Sequence, residues 1–338
     1  MPALAEKLQE FYRRREPPGR DSYRETLRAV QEILDTEPEA VRPCDDEGRP
    51  GGLVLLDRKL PTIVVPDLHA RMDFFLSVLA WKAEEGRKAI DVMAEGRLQM
   101  VCLGDGVHSE GRAARRWRAA LGEFQEGYSV HASMDEEMRE SLGVMGMVME
   151  VKRSFPGRFH FLKGNHENIT NEMGSGNFPF RKFALEGMMT LDYMRRFYGE
   201  EIVEAYALFE KTLPLLAAGR GFLISHAEPG SFYDRERIVA YHRHPEVVSG
   251  LTWTDNDDAE QGSVQRMLDC YLGEEEGPRG YYFTGHRPVS GRYRLRADGR
   301  LVQIHDPERF VIAYLPVDGE IDLERDVLKI DDEADEVT

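Results

Sequence analysis

The chain has 338 residues, 41% of them hydrophobic and 31% charged, and its formal net charge at pH 7 is -17. This balance is typical of a folded globular protein and excludes an extended disordered chain. The excess of acidic groups argues against a nucleic acid polymer or an anionic membrane as partner, because their phosphates would be repelled. The three cysteines are widely spaced and no apolar segment is long, so we expect no disulfide framework, no membrane span and a cytoplasmic location.

The two ends of the chain are predicted to lie outside the main domain. Apolar residues recur at helical spacing in residues 3–16 and 22–36, which predicts two amphipathic helices. We expect residues 1–52 to form a helical extension packed on a domain that comprises residues 53–318. Residues 319–338 are rich in Asp and Glu, so we expect an acidic tail with a frayed end.

Five short apolar segments occur along the main domain, and each is followed by side chains that can bind a ligand. The segments are Thr62 to Val65, Leu98 to Leu103, Phe159 to Leu162, Phe222 to Ser225 and Tyr281 to Thr284. Runs of this kind are typical of buried strands in α/β proteins, whose sites form at the carboxyl ends of the strands. Their alternation with helical patterns predicts a layered α/β fold.

The residues after these segments supply carboxylate, amide and imidazole groups. In chain order they are Asp67-Leu68-His69, Gly104-Asp105, Gly164-Asn165-His166-Glu167, His226 and Gly285-His286. Asp67 and His69 stand two apart on an extended segment, so their side chains project the same way and can converge on one point. Mixed oxygen and nitrogen donors suit manganese, iron or zinc better than calcium. The pattern indicates a metal site.

In this order the five motifs resemble the signature of the calcineurin-like metallophosphoesterases. Leu162-Lys163-Gly164-Asn165-His166-Glu167, together with Leu251-Thr252-Trp253-Thr254-Asp255, resembles the phosphoprotein phosphatase branch in particular. Gly285-His286-Arg287-Pro288-Val289 is similar to the last motif of bacterial members, including diadenosine tetraphosphate hydrolases. The resemblance spans residues 60–315 and implies a four-layer αββα sandwich, in which two mixed β-sheets are flanked by helices.

The resemblance implies a site for two divalent metal ions, which would be manganese, iron or zinc. The implied ligands are Asp67 and His69 for the first metal, Asp105 as the bridge, and Asn165, His226 and His286 for the second. It further implies a phosphoester hydrolase in which a metal-bound hydroxide attacks phosphorus directly. His166 would protonate the leaving group as general acid, whereas we expect Glu167 to organise the loop through backbone hydrogen bonds. The expected substrate is a phosphomonoester on a protein or on a small metabolite.

The second motif departs from the family pattern, in which Gly-Asp is followed after two residues by Asp-Arg-Gly. Here His108 stands where an aspartate would orient the general acid, and the arginine that would bind phosphate is absent from its usual place. We hypothesise that Glu110 orients His166 instead and that Arg112 supplies the phosphate contact. Arg287, in the last motif, is a second candidate for that contact.

The last motif also departs from the wider superfamily. Pro288 occupies the position where many broader metallophosphoesterases place a second histidine ligand. We therefore expect the first metal to have three protein ligands, with water completing its shell. His305 follows a predicted strand from Leu301 to Ile304, and we expect it near the mouth of the site without being a ligand.

A helical insertion is expected at residues 112–155, between the second and third motifs. It contains an arginine cluster followed by a methionine-rich amphipathic helix over residues 133–153. One interpretation is a lid that selects substrate, with the arginines steering phosphate inward. The alternative is that the methionines are core residues and the arginines form a solvated face. Residues 181–213 are predicted to be further helix that covers the sheet.

Two other functions are compatible with the sequence. The last motif also fits a hydrolase that cleaves the pyrophosphate bonds of dinucleoside polyphosphates. A protein of another class, a catalytically weak metal-binding scaffold, would result if the altered second motif had abolished turnover. The retention of all six implied metal ligands favours the enzyme.

Overall fold

Two mixed β-sheets pack face to face, and α-helices cover the outer face of each sheet. The computed structural model describes residues 2–337, within which there are twelve α-helices and thirteen strands. The architecture is α/β with four layers, which confirms the predicted αββα sandwich.

Each sheet contains three adjacent strands that are parallel to one another. The five-stranded sheet contains, in spatial order, β13 (Val327–Lys329), β12 (Val311–Leu315), β2 (Thr62–Val65), β5 (Gln99–Cys102) and β6 (Phe159–Phe161). The six-stranded sheet contains β1 (Leu53–Leu55), β7 (Leu216–Ala218), β8 (Phe222–Ser225), β9 (Tyr281–Thr284), β11 (Leu301–Gln303) and β10 (Arg294–Arg296). A separate hairpin is formed by β3 (Lys82–Glu84) and β4 (Arg87–Lys88).

Eight helices belong to the layer outside the five-stranded sheet. They are α1 (Pro2–Arg13), α2 (Arg20–Asp35), α3 (Met72–Ala80), α4 (Ala89–Ala94), α5 (Ala114–Gln125), α6 (Ala132–Ser154), α7 (Glu186–Phe197) and α8 (Glu200–Thr212). The layer outside the six-stranded sheet contains α9 (Arg235–Val239), α10 (Pro245–Thr252) and α11 (Ser263–Glu276), and α12 (Leu323–Asp326) is a single turn before β13. None of the helices within residues 2–337 combines the length and the apolar character that crossing a membrane requires.

Side chains alternate between two cores along the central strands. On β2, Ile63 and Val65 join the core beneath helices α1–α8, whereas Val64 joins the core between the two sheets. This period of two lets a strand of four residues be buried on both faces. The short apolar segments of the sequence are therefore sufficient to form the centre of the sandwich.

The strands that lead to the site have the predicted positions, whereas the helix predicted over residues 181–213 is divided. Strands β2, β8 and β9 have the predicted bounds. Residues 181–213 contain a loop and two helices, α7 and α8, because Gly199 adopts a φ of 88° between them. Both helices contribute to the core on the outer face of the five-stranded sheet.

Helix α6 is a core helix. Its predicted apolar residues are each at most 1% exposed: Met134, Met138, Leu142, Met145, Met147 and Met149. The core interpretation of the methionines is confirmed, and these side chains supply no surface for a lid. On α5, Arg116 pairs with Glu137 at 2.6 Å and with Glu140 at 2.8 Å, so this arginine joins the two helices instead of lying on a solvated face.

The last described residues are packed and do not form the frayed end that the sequence predicted. Strand β13 pairs with β12, and residues 334–337 form a 3₁₀ turn against α3. Ile330, Ala334 and Val337 are buried, and the carbonyl of Ala334 accepts a hydrogen bond of 2.6 Å from Gln9 Nε2. These apolar residues recur at helical spacing among acidic ones. The expectation of a frayed end rested on the acidic residues and overlooked this apolar spacing.

A buried ionic cluster joins the N-terminal helices to α6 and β6. Glu37, just after α2, accepts hydrogen bonds from Arg42 Nη1 at 3.0 Å and from Lys152 Nζ at 2.5 Å. His160 Nδ1 lies 3.7 Å from Glu37 Oε1. Burial raises the pKa of Glu37, but Lys152, Arg42 and His160 outweigh burial and hold that pKa below its ordinary 4.5. Glu37 is therefore the counter-ion of two buried cations.

We expect Glu37→Gln to lower the free energy of unfolding by about 3–5 kcal/mol, because two buried cations lose their counter-ion. The pKa of Glu37 is lower in the folded than in the unfolded chain. The carboxylate therefore contributes its full stabilisation above pH 4.5, and this contribution declines as the pH falls below that value. Chemical denaturation at neutral pH and at about pH 3.5 measures both effects, and the difference from wild type should shrink at the lower pH.

The matched control for this prediction is Glu39→Gln, which changes an exposed carboxylate two residues away. It should leave the free energy of unfolding within about 0.5 kcal/mol of wild type. Equal stability of the two variants would show that the buried cluster does not hold the N-terminal helices in place.

Candidate metal centre

The six implied metal ligands all lie at one edge of the sandwich, where the parallel strands of both sheets end. They are Asp67 and His69 after β2, Asp105 after β5 and Asn165 after β6 in one sheet, with His226 after β8 and His286 after β9 in the other. Neighbouring parallel strands end at the same edge of a sheet, so segments far apart in the sequence deliver their side chains to one place.

Asp67, His69 and Asp105 form the first group of donor atoms. His69 Nε2 lies 3.8 Å from Asp67 Oδ2 and 3.6 Å from Asp105 Oδ2. His69 Nδ1 lies 3.0 Å from the carbonyl oxygen of His108, and because a carbonyl cannot donate, Nδ1 carries the ring proton. The unprotonated Nε2 therefore faces two carboxylates. Burial lowers the pKa of His69 to about 3, which keeps the ring neutral at pH 7.

Asn165, His226 and His286 form the second group, and Asp105 lies between the two groups. His226 Nε2 is 2.9 Å from Asn165 Oδ1 and 3.5 Å from Asp105 Oδ2, while His286 Nδ1 is 3.0 Å from the same asparagine oxygen. His226 Nδ1 donates to the carbonyl of Leu103 at 3.0 Å, which leaves a lone pair on Nε2. Burial lowers the pKa of both histidines.

This concentration of electron-rich atoms fits divalent cations. Burial raises the pKa of Asp105, and the carboxylates of Glu167 and Asp67 raise it further, because negative charges are crowded away from water. Asp67 Oδ1 and His286 Nε2 are buried without a hydrogen-bond partner among residues 2–337. Positive charge between the two groups would relieve the repulsion and engage the nitrogen lone pairs, so these residues could hold metal ions.

Two glycines let the loops approach the carboxylates. A Cβ atom at Gly285 would lie 1.8 Å from Asp67 Oδ1, and one at Gly164 would lie 2.2 Å from Asp105 Oδ1. No side chain fits at either position while both carboxylates stay in place. This close approach explains why glycine precedes both Asn165 and His286.

Glu167 ties the second and third motifs together. Its Oε2 accepts hydrogen bonds from the N–H groups of Gly164 and Asp105 at 2.7 and 2.8 Å, and its Oε1 accepts one from Gly106 at 2.9 Å. In return, Asp105 Oδ1 accepts a hydrogen bond of 2.9 Å from the N–H of His166. The predicted role of Glu167 in organising the loop through the backbone is confirmed.

His166 lies beside Asp105 at the edge of a cavity. Its Nε2 is 3.8 Å from Asp105 Oδ2, and its side chain is 15% exposed. The ring stacks on Phe180 with centroids 4.7 Å apart and lies 4.8 Å from the ring of His108. Burial, together with His108 and His69, lowers the pKa of His166 well below its ordinary value. His166 is therefore a partly exposed imidazole that lies next to the donor groups and lines the cavity.

His108 lies next to His166, and a carboxylate stands behind it. The His108 ring is buried and stacks with Trp117, while its Nε2 lies 3.7 Å from Glu186 Oε1. Glu186 begins α7 and is fully buried. Burial raises the pKa of Glu186, but the nearby His108 ring and hydrogen bonds from the N–H groups of Phe183 and Lys182 outweigh it and lower the pKa to about 2. A buried negative charge thus faces His108.

Glu110 is not paired with His166, contrary to our hypothesis. Its Oε1 lies 3.5 Å from His69 Nε2 and its Oε2 lies 3.3 Å from His305 Nε2. The backbone at Glu110 is left-handed, with a φ of 47°, and this conformation begins a 3₁₀ turn. His305 is fully buried and does not lie at the mouth of the site as expected.

Arg112 binds the loop that carries the first donor group. It donates to Glu140 Oε2 at 2.8 Å and to the carbonyl oxygens of His69 and Ala70 at 3.3 and 3.0 Å. These contacts support a structural role for the guanidinium and give no support to the predicted phosphate contact. Arg287, by contrast, lines the cavity above the donor groups and donates to Asp255 at 2.5 Å.

The cavity above the donor groups has a volume of about 280 Å³. Besides the donor residues it is lined by the cations Arg181, Lys182 and Arg287 and by the aromatic rings of Phe180 and Trp253. We did not single out Arg181, Lys182 or Glu186 from the sequence, because residues 181–213 were predicted to be a covering helix. The run Phe178-Pro179-Phe180-Arg181-Lys182 was an available signal, since two aromatic residues flank a proline there and two basic residues follow.

Comparison with known proteins gives a fold match. No protein-family profile and no curated protein sequence matches the chain. A serine/threonine phosphatase from Saccharomyces cerevisiae, described as similar to human phosphatase PP5, is 13% identical over 93% of this chain and 90% of its own, with a TM-score of 0.54. A mutant of a cold-active protein tyrosine phosphatase is 14% identical over 84% and 78%, with a TM-score of 0.48.

The first likeness shows that the chain shares its overall fold with this serine/threonine phosphatase. At this identity the likeness speaks for the fold alone. Which residues hold a ligand, and what reaction follows, must be argued from the geometry above.

We expect Glu167→Gln to lower the free energy of unfolding by about 1–3 kcal/mol. An amide has one acceptor oxygen where the carboxylate uses two, so at least one buried N–H of the two loops loses its partner. Urea denaturation measures the effect. Glu204→Gln, at an exposed position on α8, is the matched control, and a loss no larger than that of this control would refute the role of Glu167.

Proposed function

We propose that the chain is a hydrolase of phosphomonoesters that works with two divalent metal ions. The observation that carries this proposal is the position of Asp105, whose Oδ2 lies within 3.6 Å of imidazole nitrogens of both donor groups. Asp67 and His69 would hold the first ion and Asp105 would bridge. Asn165, His226 and His286 would hold the second.

The donor set argues for the kind of metal and for its task. Neutral imidazoles combined with carboxylate and amide oxygens suit manganese, iron or zinc. When bound, two such ions supply Lewis-acid polarisation of phosphate oxygens and lower the pKa of water. The neutral state of His69, which burial maintains, leaves its Nε2 free to ligate at pH 7.

His166 is the proposed general acid. Its ring lies beside the bridging carboxylate and at the edge of the cavity, where a leaving group would depart. We assign to His108 the orientation of His166, in place of the aspartate that the family pattern has. The buried carboxylate of Glu186 supports this role, because its Oε1 lies 3.7 Å from His108 Nε2 and favours the tautomer with the proton on that nitrogen.

The cavity favours a phosphorylated group of limited size. Arg181, Lys182 and Arg287 would attract a phosphate dianion even though the whole protein is acidic, because they are local to the site. The rings of Phe180 and Trp253 offer apolar contact to the part of the substrate next to the phosphate. A phosphorylated protein side chain and a small phosphorylated metabolite both meet these requirements.

We assign this activity to a catalytic domain of residues 53–318 that carries the helical insertion 112–155. Residues 1–52 would be an extension held by the Glu37 cluster, and residues 319–338 a tail whose strand β13 completes the five-stranded sheet. The extension and the tail are absent from the lining of the cavity, so their task in this proposal is stability.

We expect the purified protein to hydrolyse p-nitrophenyl phosphate when manganese is added, and chelation by EDTA to abolish this activity reversibly. Asp105→Asn should reduce kcat/KM by at least about 100-fold, because the shared ligand is lost. Absence of hydrolysis with two metals bound per chain would support the scaffold alternative.

A panel of phosphopeptides, nucleotides and dinucleoside polyphosphates then separates monoester cleavage from pyrophosphate cleavage.

We expect His166→Asn to show a strong dependence on the leaving group. The variant should lose about 10²–10⁴-fold in kcat with phenyl phosphate and much less with p-nitrophenyl phosphate, whose leaving group needs no proton. His108→Asn should show the same pattern more weakly. Metal content equal to wild type is the control, and an equal loss with both substrates would exclude general acid catalysis by His166.

A further inference from the structure

His305 occupies a position beside the first donor group. Its side chain is fully buried, and its Nδ1 lies 3.8 Å from Asp67 Oδ2. Donor atoms of Asp67, His69 and His305 all lie within 4.8 Å of one another. Ligand bonds of about 2.0–2.2 Å place the donor atoms of one ion about 3–4.4 Å apart, so the three side chains need little adjustment to share an ion.

The tautomer of His305 leaves the relevant nitrogen free. Its Nε2 lies 3.3 Å from Glu110 Oε2, and an ionised carboxylate only accepts, so Nε2 carries the ring proton. The unprotonated Nδ1 is buried and has no hydrogen-bond partner among residues 2–337. A buried acceptor without a partner is costly, and this one faces Asp67. An imidazole that binds a metal through one nitrogen and a carboxylate through the other is a common arrangement in metalloproteins.

The end of strand β11 brings His305 to this place. The carbonyl of His305 accepts a hydrogen bond of 2.9 Å from the N–H of Val289, so the last motif and the end of β11 lie side by side. Pro288, next to Val289, has no side-chain atom that can ligate. An imidazole from the neighbouring strand thus lies beside the last motif.

We propose that His305 is a fourth protein ligand of the first metal and that Glu110 positions its ring. This inference rests on the proposed function, because it presumes the two-metal site. It replaces the expectation that water alone completes the shell of the first ion, and it gives Glu110 a task other than the orientation of His166. The first site would then bind its metal more tightly than three protein ligands allow.

Metal titration of the variants tests the proposal without relying on turnover. In His305→Gln, manganese binding at one of the two sites should weaken by at least about 100-fold, and dialysed protein should keep one metal per chain. Glu110→Gln retains an acceptor for Nε2–H and should weaken the same site by about 10-fold. His244→Gln, which changes a partly exposed histidine outside the site, is the matched control and should bind like wild type.

A direct measurement on the wild-type chain covers the case in which His305→Gln fails to fold. In protein labelled with nitrogen-15 histidine, zinc loading should shift the Nδ1 resonance of His305 strongly, while Nε2 stays protonated. If the His305 resonances keep their metal-free positions at full zinc occupancy, the proposal is overturned.

The two proposals fail in different ways. A wild-type chain that binds no metal would overturn the two-metal function and, with it, the role of His305. A wild-type chain that binds two metals and hydrolyses p-nitrophenyl phosphate, while His305→Gln binds both metals with unchanged affinity, would overturn the His305 assignment alone.

Discussion

The crowding of buried carboxylates against unprotonated imidazole nitrogens is the constraint on which the site depends. Asp67 and Asp105 approach Nε2 of His69, Asp105 also approaches Nε2 of His226, and each ring donates its Nδ1 proton to a backbone carbonyl. Such atoms cannot satisfy one another, because all of them are acceptors. Burying them unpaired is costly, so cations between them would stabilise the arrangement. The backbone carbonyls thus prepare the site before any ligand arrives.

The surrounding chain is shaped to maintain this crowding. His69, Asp105, His108, Glu110 and His286 all adopt positive φ angles between 43° and 74°, which side chains of this size rarely favour. The strain is held by strand ends on one side and by the hydrogen bonds of Glu167 on the other. Both sheets contribute donors, because each has three neighbouring parallel strands that end at this edge of the sandwich.

The sequence predicted the strands and the donors on them better than it predicted their surroundings. Local signals sufficed for β2 and for Asp67 and His69, because an apolar run, a proline and the spacing of two side chains lie within a few residues. Glu186 and His305 depend on contacts between segments far apart in the chain, which no local pattern contains. The buried face of residues 330–337 was hidden for another reason, since its apolar residues are sparse among carboxylates.

The replacement of an aspartate by His108 changes how the proposed general acid could be protonated. A carboxylate in direct contact would raise the pKa of His166, whereas burial and the neighbouring His108 and His69 lower it, and the buried carboxylate of Glu186 faces His108 instead. His166 is therefore neutral at pH 7 until negative charge arrives. A phosphate dianion in the cavity would supply that charge, so in the proposed mechanism protonation of the general acid accompanies substrate binding. This coupling favours doubly charged monoesters over the singly charged groups that link a dinucleoside polyphosphate.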